Sequence, residues 1–216
     1  MTMSRELNFT DTKENKLFVT GCPHLGHNPP WEVPIYVKRG YTNHKDMTDA
    51  IIQSFNDICT CLDTLMVLGD FCLNVEEDEF LRLIGRIHPK LWFVRGNHNN
   101  PWEGMYLKHC KEAVGYEMIG YEWLDKITYY GDYIDMKWNK RRMICFHYPI
   151  SVWDRARHNA IHLCSHSHHN FYPSLPSTKT EGKIIDCGWD GWRKPIGFEE
   201  IMRCANQKEI VKKDHH

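Results

Sequence analysis

The chain is expected to fold as an α/β protein with its reactive side chains gathered along one edge of a sheet, and three observations lead there. Five apolar, strand-like runs each end in a residue that can donate a nitrogen, oxygen or sulfur lone pair. The first half alternates such runs with segments of helical period, as βαβ units do. The second half brings its runs closer together, with shorter connections that suit some antiparallel pairing.

Leu17-Phe18-Val19-Thr20-Gly21 is the first run, and Cys22 and His24 follow it. A long insertion, Asn28 to Tyr41, carries Pro29, Pro30 and Pro34 and precedes an amphipathic helix with Met47, Ala50, Ile51, Phe55 and Ile58 on one face. Leu65-Met66-Val67-Leu68-Gly69 then leads to Asp70. Glu76-Glu77-Asp78 places acids at the positive end of a second helix, whose inward face is Phe80, Leu83, Ile84 and Ile87. Leu91-Trp92-Phe93-Val94-Arg95-Gly96 ends in Asn97-His98. Further strands are expected over Thr128 to Trp138, Arg141 to Tyr148, Ile161 to Ser165 and Lys183 to Cys187. The second of these contains His147, and the third leads into His166-Ser167-His168. Two sheets with helices outside fit the change of character between the halves, and reactive groups in open α/β sheets collect outside the carboxyl ends of strands.

At 216 residues and 42% hydrophobic content, a single domain over 1–216 is expected, with an N-terminal extension over 1–15 and a C-terminal tail over 207–216. A net charge of −1 gives no extended surface for nucleic acid. No apolar run approaches the length of a membrane span, and the N-terminus lacks the apolar core of a signal peptide, so a cytoplasmic protein is expected. The nine cysteines lack the paired spacings of a disulfide framework and read as reduced, small core residues, with Cys22 set apart by its company.

Taken in order, Cys22-Pro23-His24, Gly69-Asp70, Gly96-Asn97-His98-Asn99, His147-Tyr148-Pro149 and Ser165-His166-Ser167-His168 resemble the motif series of the calcineurin-like metallophosphoesterase family. That series runs Asp-x-His, Gly-Asp, Gly-Asn-His-Asp/Glu, a lone His and Gly-His-x-His. The resemblance extends from about Lys16 to Ile201. Cys22, Asn99 and Ser165 depart from the pattern, standing where the family has an acid, an acid and a glycine. The resemblance implies a four-layer α/β/β/α sandwich with two mixed sheets. It also implies a binuclear centre of two divalent metal ions, Mn, Zn or Fe, in which Asp70 bridges. Cys22, His24 and His168 would serve the first ion, and Asn97, His147 and His166 the second. In an extended segment residues i and i+2 face the same side, which suits Cys22 with His24 and His166 with His168. His98 would be the catalytic residue, assisting the leaving oxygen rather than binding metal.

The implied activity is hydrolysis of a phosphate ester by attack of metal-bridging hydroxide. The favoured substrates are phosphodiesters or small phosphorylated molecules and nucleotides. Protein phosphatases of the family continue Gly-Asp with an arginine that grips phosphate, whereas Phe71-Cys72-Leu73-Asn74 follows here. Cys22 has three readings: a thiolate ligand that keeps the negative charge and favours softer metals, a residue that leaves one ion weakly held, or the mark of a scaffold that only binds. A structural zinc site ranks last, since such sites use locally spaced ligands. His44, His88, His109, His158 and His162 have no motif around them and read as ordinary core or surface residues. His169 has the wrong parity to join its neighbours and reads as facing solvent or substrate. His27 reads equally as a phosphate contact, a capping residue or a simply exposed one, and Arg95 more as a structural pair than as a charge that neutralises substrate.

Overall fold

The structure, a computed structural model, describes residues 7–29, 33–98, 104, 125–170 and 182–210. It is an α/β fold of two mixed five-stranded sheets flanked by helices. One sheet has the order β10-β2-β3-β4-β5, from β2 (Leu17–Thr20), β3 (Thr64–Leu68), β4 (Lys90–Val94), β5 (Ile127–Tyr129) and β10 (Ile196–Gly197). The other has the order β1-β6-β7-β8-β9, from β1 (Leu7–Phe9), β6 (Tyr133–Trp138), β7 (Arg141–Phe146), β8 (Ile161–Cys164) and β9 (Ile184–Asp186). The helices bounded within the described residues are α1 (Ile35–Lys38), α2 (His44–Ile58), α3 (Glu77–Arg86), α4 (Trp189–Trp192) and α5 (Phe198–Asn206).

Period-two alternation on fully buried strands produces the layers. In β3, Leu65 and Val67 face a core shared with Met47, Ile51 and Phe55 of α2 and Phe80, Leu83 and Ile84 of α3. Its intervening residues, Met66 and Leu68, face the second sheet, where they meet Ile134, Met136, Met143 and Leu163. Ile201 and Ala205 of α5 join this inter-sheet core. The far face of the second sheet carries Ile144, Cys164 and Ile184, covered by Ile150, Trp153, Ala156 and Ala160. The predicted inward face of α3 is the observed one, whereas α2 buries Met47, Thr48, Ile51, Ile52 and Phe55 and leaves the expected Ala50 and Ile58 half-buried. Asn43 starts α2 by accepting from the amides of Lys45 and Asp46, both at 2.9 Å, which satisfies two otherwise orphan donors.

Two expectations change in detail. The run from 128 to 138 is not one strand. It breaks at Tyr130-Gly131-Asp132, with Gly131 at φ +77°, so that β5 completes the first sheet and β6 enters the second. The first fifteen residues do more than extend the chain, because β1 pairs in parallel with β6. Asp11 then accepts from the Leu17 amide and the Trp138 indole at 3.0 Å each, tying that end to both sheets. Among the described residues, no helix is long and apolar enough to cross a membrane.

The parallel trio β2, β3 and β4 ends at one edge, and the parallel trio β7, β8 and β9 ends beside it. The two edges are joined where Gly21 bridges Gly188 and the Trp189 amide donates to the Gly21 carbonyl at 2.8 Å. That junction is where the reactive residues gather.

Phe80 lies away from this junction, fully buried and edge-on to Phe71 at 6.1 Å between ring centroids. Phe80→Ala is expected to lower stability by about 3–5 kcal/mol through the cavity it opens. Urea titration should show a lower midpoint with an unchanged slope, and a loss below about 1 kcal/mol would mean that the α3 face is not held by this ring.

Candidate metal centre

Left-handed backbone at the strand ends brings the candidate ligands together. Cys22 (φ 49°), His24 (φ 52°), Asp70 (φ 51°), His166 (φ 64°) and His168 (φ 49°) all adopt it. For residues with a β-carbon this region costs free energy, and it concentrates where the surroundings force it and function uses it. The surroundings here are specific. The amides of Cys22 and His24 donate to the carbonyls of Gly69 and Asp70 at 3.1 and 3.0 Å, lacing the turn after β2 to the turn after β3. The extended i, i+2 geometry is therefore not what aligns Cys22 with His24 or His166 with His168. Each pair is delivered by turns of left-handed residues.

The glycines preceding Asp70 and Asn97 are required by close approach. A β-carbon on Gly69 would run into the His147 ring, and one on Gly96 would run into the Asp70 carboxylate. Ser165, where a glycine was expected from the resemblance, has no positive φ. Its side chain occupies the space a β-carbon on Gly21 would need, and its hydroxyl donates to the Leu68 carbonyl.

The seven candidate ligands, Asp70 among them, fall into linked groups. The Cys22 Sγ and one ring nitrogen each of His24 and His168 lie within 4.8 Å of one another, and so do Cys22, a carboxylate oxygen of Asp70 and a ring nitrogen of His147. Cys22 thus sits between two groups rather than at the end of one. It also accepts from the His166 amide at 3.2 Å. On the other side, His147 Nε2 is 2.8 Å from Asn97 Oδ1, 3.1 Å from His166 Nδ1 and 3.4 Å from Asp70 Oδ2. His24 Nε2 is 3.8 Å from the same carboxylate oxygen. His98 is exposed, donates its amide to Asp70 Oδ1 at 2.9 Å and places its ring 5.9 Å from that of His24. Asn99 lies outside the described residues.

The donor chemistry fits a cation. His147 Nδ1 lies 2.8 Å from the Leu68 carbonyl, which can only accept, so this nitrogen carries the proton. A neutral His147 then presents a lone pair at Nε2, aimed at a carboxylate oxygen and an amide oxygen. Acceptors converging in this way repel one another unless they share a positive ion. Both nitrogens of His24 are buried with no hydrogen-bond partner, a costly state that coordination relieves. Burial holds His24 well below the usual histidine range, reinforced by His168 and Arg39. Burial also lowers His147, against the opposing pull of Asp70, and lowers His166. Neutral imidazoles are the form that binds metal. The Cys22 thiol is pushed up by burial and by the Asp70 carboxylate, so its ionisation awaits a cation.

Sequence reasoning missed three charged residues that build the site. Arg39 is buried and holds Asp190 through two hydrogen bonds of 2.8 Å, while Asp190 accepts from His168 Nδ1 at 2.6 Å. Burial works to raise the Asp190 carboxyl, but the bonds from His168 and Arg39 outweigh it and hold the group below the usual carboxylate range. Asp186, also buried, accepts from the Ser167 hydroxyl at 2.7 Å and the His169 amide at 3.2 Å, fixing the loop that carries His166 and His168. The nearest sequence signal was Trp189-Asp190-Gly191-Trp192, a carboxylate within a run of turn and aromatic residues.

The remaining histidines divide. His162 is buried, with its ring between the Ile144 and Tyr148 carbonyls, and is structural. His169 is half-buried, packs against Gly191 and lies edge-on to Trp192 at 6.4 Å. His27 is buried beside the site and accepts from the Ile35 amide at 3.4 Å. Arg95 pairs with Asp132 and Tyr129, as a structural residue would. A cavity of about 450 Å³ opens beside His24, His98 and His168, with Lys38, Ile35 and Leu73 among its other walls.

No family model matches the chain, and no curated protein does. Among solved structures the chain is similar to a protein of unknown function, AQ665 from Aquifex aeolicus. The TM-score is 0.62 at 19% identity, covering 88% of this chain and 98% of that one. At that identity the likeness is one of fold.

Zn²⁺ should stabilise the protein. At about 100-fold excess over its dissociation constant, a ligand specific for the folded state adds about 2.7 kcal/mol. Thermal unfolding should show a Zn²⁺-dependent rise that shrinks in His24→Ala and in His147→Ala. An identical rise in the parent and both variants would place the bound ion elsewhere.

Proposed function

We propose that the protein is a metal-dependent phosphoesterase acting on small phosphorylated molecules. The observation that carries this reading is the convergence of seven ligand-type side chains, the buried Asp70 carboxylate among them, from turns after strands of both sheets. Cys22, His24 and His168 would hold one ion and Asn97, His147 and His166 another, with Asp70 shared between them. Bound divalent ions supply charge neutralisation for a phosphate and a nucleophile at neutral pH. The motif series resembling the calcineurin-like metallophosphoesterases supports the same conclusion.

The chain's own residues define the rest. Among the seven, only Asp70 and an ionised Cys22 are negative, so the loaded site keeps positive charge and draws anions. His98 stands exposed over the site with its backbone anchored on Asp70, which suits an imidazole that gives a proton to a leaving oxygen. The cavity beside it orients the substrate body, with Lys38 at the wall for a further anionic oxygen and Ile35 and Leu73 for apolar contact. Its volume is that of a small-molecule site. The position four residues after Asp70, which carries an arginine in protein phosphatases, is Asn74 here, an exposed residue with no positive charge.

Hydrolysis of a nitrophenyl monoester and a nitrophenyl diester in the presence of Mn²⁺ or Zn²⁺ tests the reading. Activity that chelator abolishes and metal restores is expected. His98→Ala should keep the metal content of the parent and lose about 10²–10⁴-fold in turnover. Loss of metal together with activity would remove His98 from this role. Metal binding with neither ester cleaved would make the protein a binding scaffold instead.

A further inference from the structure

We infer that Arg39 is the positioning residue of the Cys22–His24–His168 half of the site, acting through Asp190. The inference rests on the metal-centre reading and names residues which that reading does not require. Arg39 caps α1, inside the insertion between β2 and α2, yet its guanidinium is buried at the site, with side-chain exposure of 1%. Every one of its five N–H groups has a partner. Nε bonds Asp190 Oδ1 at 2.8 Å, and Nη2 bonds Asp190 Oδ2 and the Cys22 carbonyl, both at 2.8 Å. Nη1 bonds the Pro23 carbonyl at 2.7 Å and the Met47 sulfur at 3.6 Å.

This arrangement reaches all three residues of the group. The Cys22 and Pro23 carbonyls belong to the turn in which Cys22 and His24 are left-handed, so Arg39 holds both side chains at the angle from which they meet. Asp190 Oδ2 is shared by Arg39 and His168 Nδ1. A carboxylate on Nδ1 fixes the imidazole with its Nε2 lone pair free and raises its basicity as a ligand. The planar fork of arginine makes these contacts at once, whereas lysine offers three donors from a single point and cannot. The other half of the site is held differently: His147 rests on the Leu68 carbonyl, and none of the contacts of Arg39 reaches Asn97 or His166. The two halves should therefore respond differently to Arg39 and Asp190.

Titration of metal-free protein with Co²⁺, followed by visible absorption and by competition with a chelator, reads both halves without any substrate. A sulfur-to-cobalt band in the near ultraviolet reports Cys22. Asp190→Asn and Arg39→Lys should each weaken one of two binding steps by roughly 10–100-fold, shift the band of that step, and affect the other step far less. The double variant should be little worse than the weaker single one, because both act on one ligand group. Far-UV circular dichroism and thermal unfolding of the metal-free variants separate a local effect from unfolding. If Arg39→Lys does not fold, Asp190→Asn and the longer carboxylate in Asp190→Glu carry the comparison, with Glu expected to recover part of the affinity. Equal weakening of both steps, or none in either, overturns the assignment of Arg39 and Asp190 while leaving a metal centre. A parent protein that binds no Co²⁺ overturns the functional reading, and this inference with it.

Discussion

Side chains from two different sheets can meet only if the chain turns inward at the strand ends, and here it does so through residues with positive φ. Cys22, His24, Asp70, His166 and His168 occupy a region that costs roughly 1–2 kcal/mol for each residue bearing a β-carbon. Hydrogen bonds between the turns after β2 and β3, and between Gly21 and the segment after β9, hold these conformations in place. Gly69 and Gly96 admit the His147 ring and the Asp70 carboxylate into space that any other residue would fill. The layers of apolar strands and helices supply the free energy that keeps such backbone in place, and the site depends on that support.

Much of this was legible because the informative residues are local in sequence. A run such as Leu65 to Leu68 reads as a strand buried on both faces, and a ligand-type residue directly after it must lie at the sheet edge. The inward face of α3, and Met47, Ile51 and Phe55 of α2, follow from periodicity alone. What could not be read was any pairing across the fold. Arg39 and Asp190 are 151 residues apart, and neither sits in a recognisable pattern. The shared position of Cys22 depends on how the two sheets approach each other. The break at Gly131 was hidden because residues 128 to 138 keep strand-like composition on both sides of it, and only the destination of each half in a separate sheet reveals the turn.

The cysteines show how company, more than burial, distinguishes a reactive group. Cys22, Cys72 and Cys145 are all essentially inaccessible, and burial pushes each thiol up. Every cysteine among the described residues is free of disulfides. Cys72 and Cys145 pack among aliphatic and aromatic side chains and behave as small apolar fillers. Cys22 has the same burial but faces His24, His168, Asp70 and His147. A cation among these groups would invert the preference of its sulfur for the proton.

The short strand β1 has a consequence for how the molecule meets its own copies. It occupies the outer edge of the second sheet and pairs with Met136, Lys137 and Trp138 of β6. A chain shortened past Phe9 would leave the backbone donors and acceptors along that side of β6 uncovered. An uncovered strand edge is a template for another strand, whatever chain it comes from. The three residues of β1 cover the Met136–Trp138 half of that border and, as a very short outer strand, leave little template for edge-to-edge assembly.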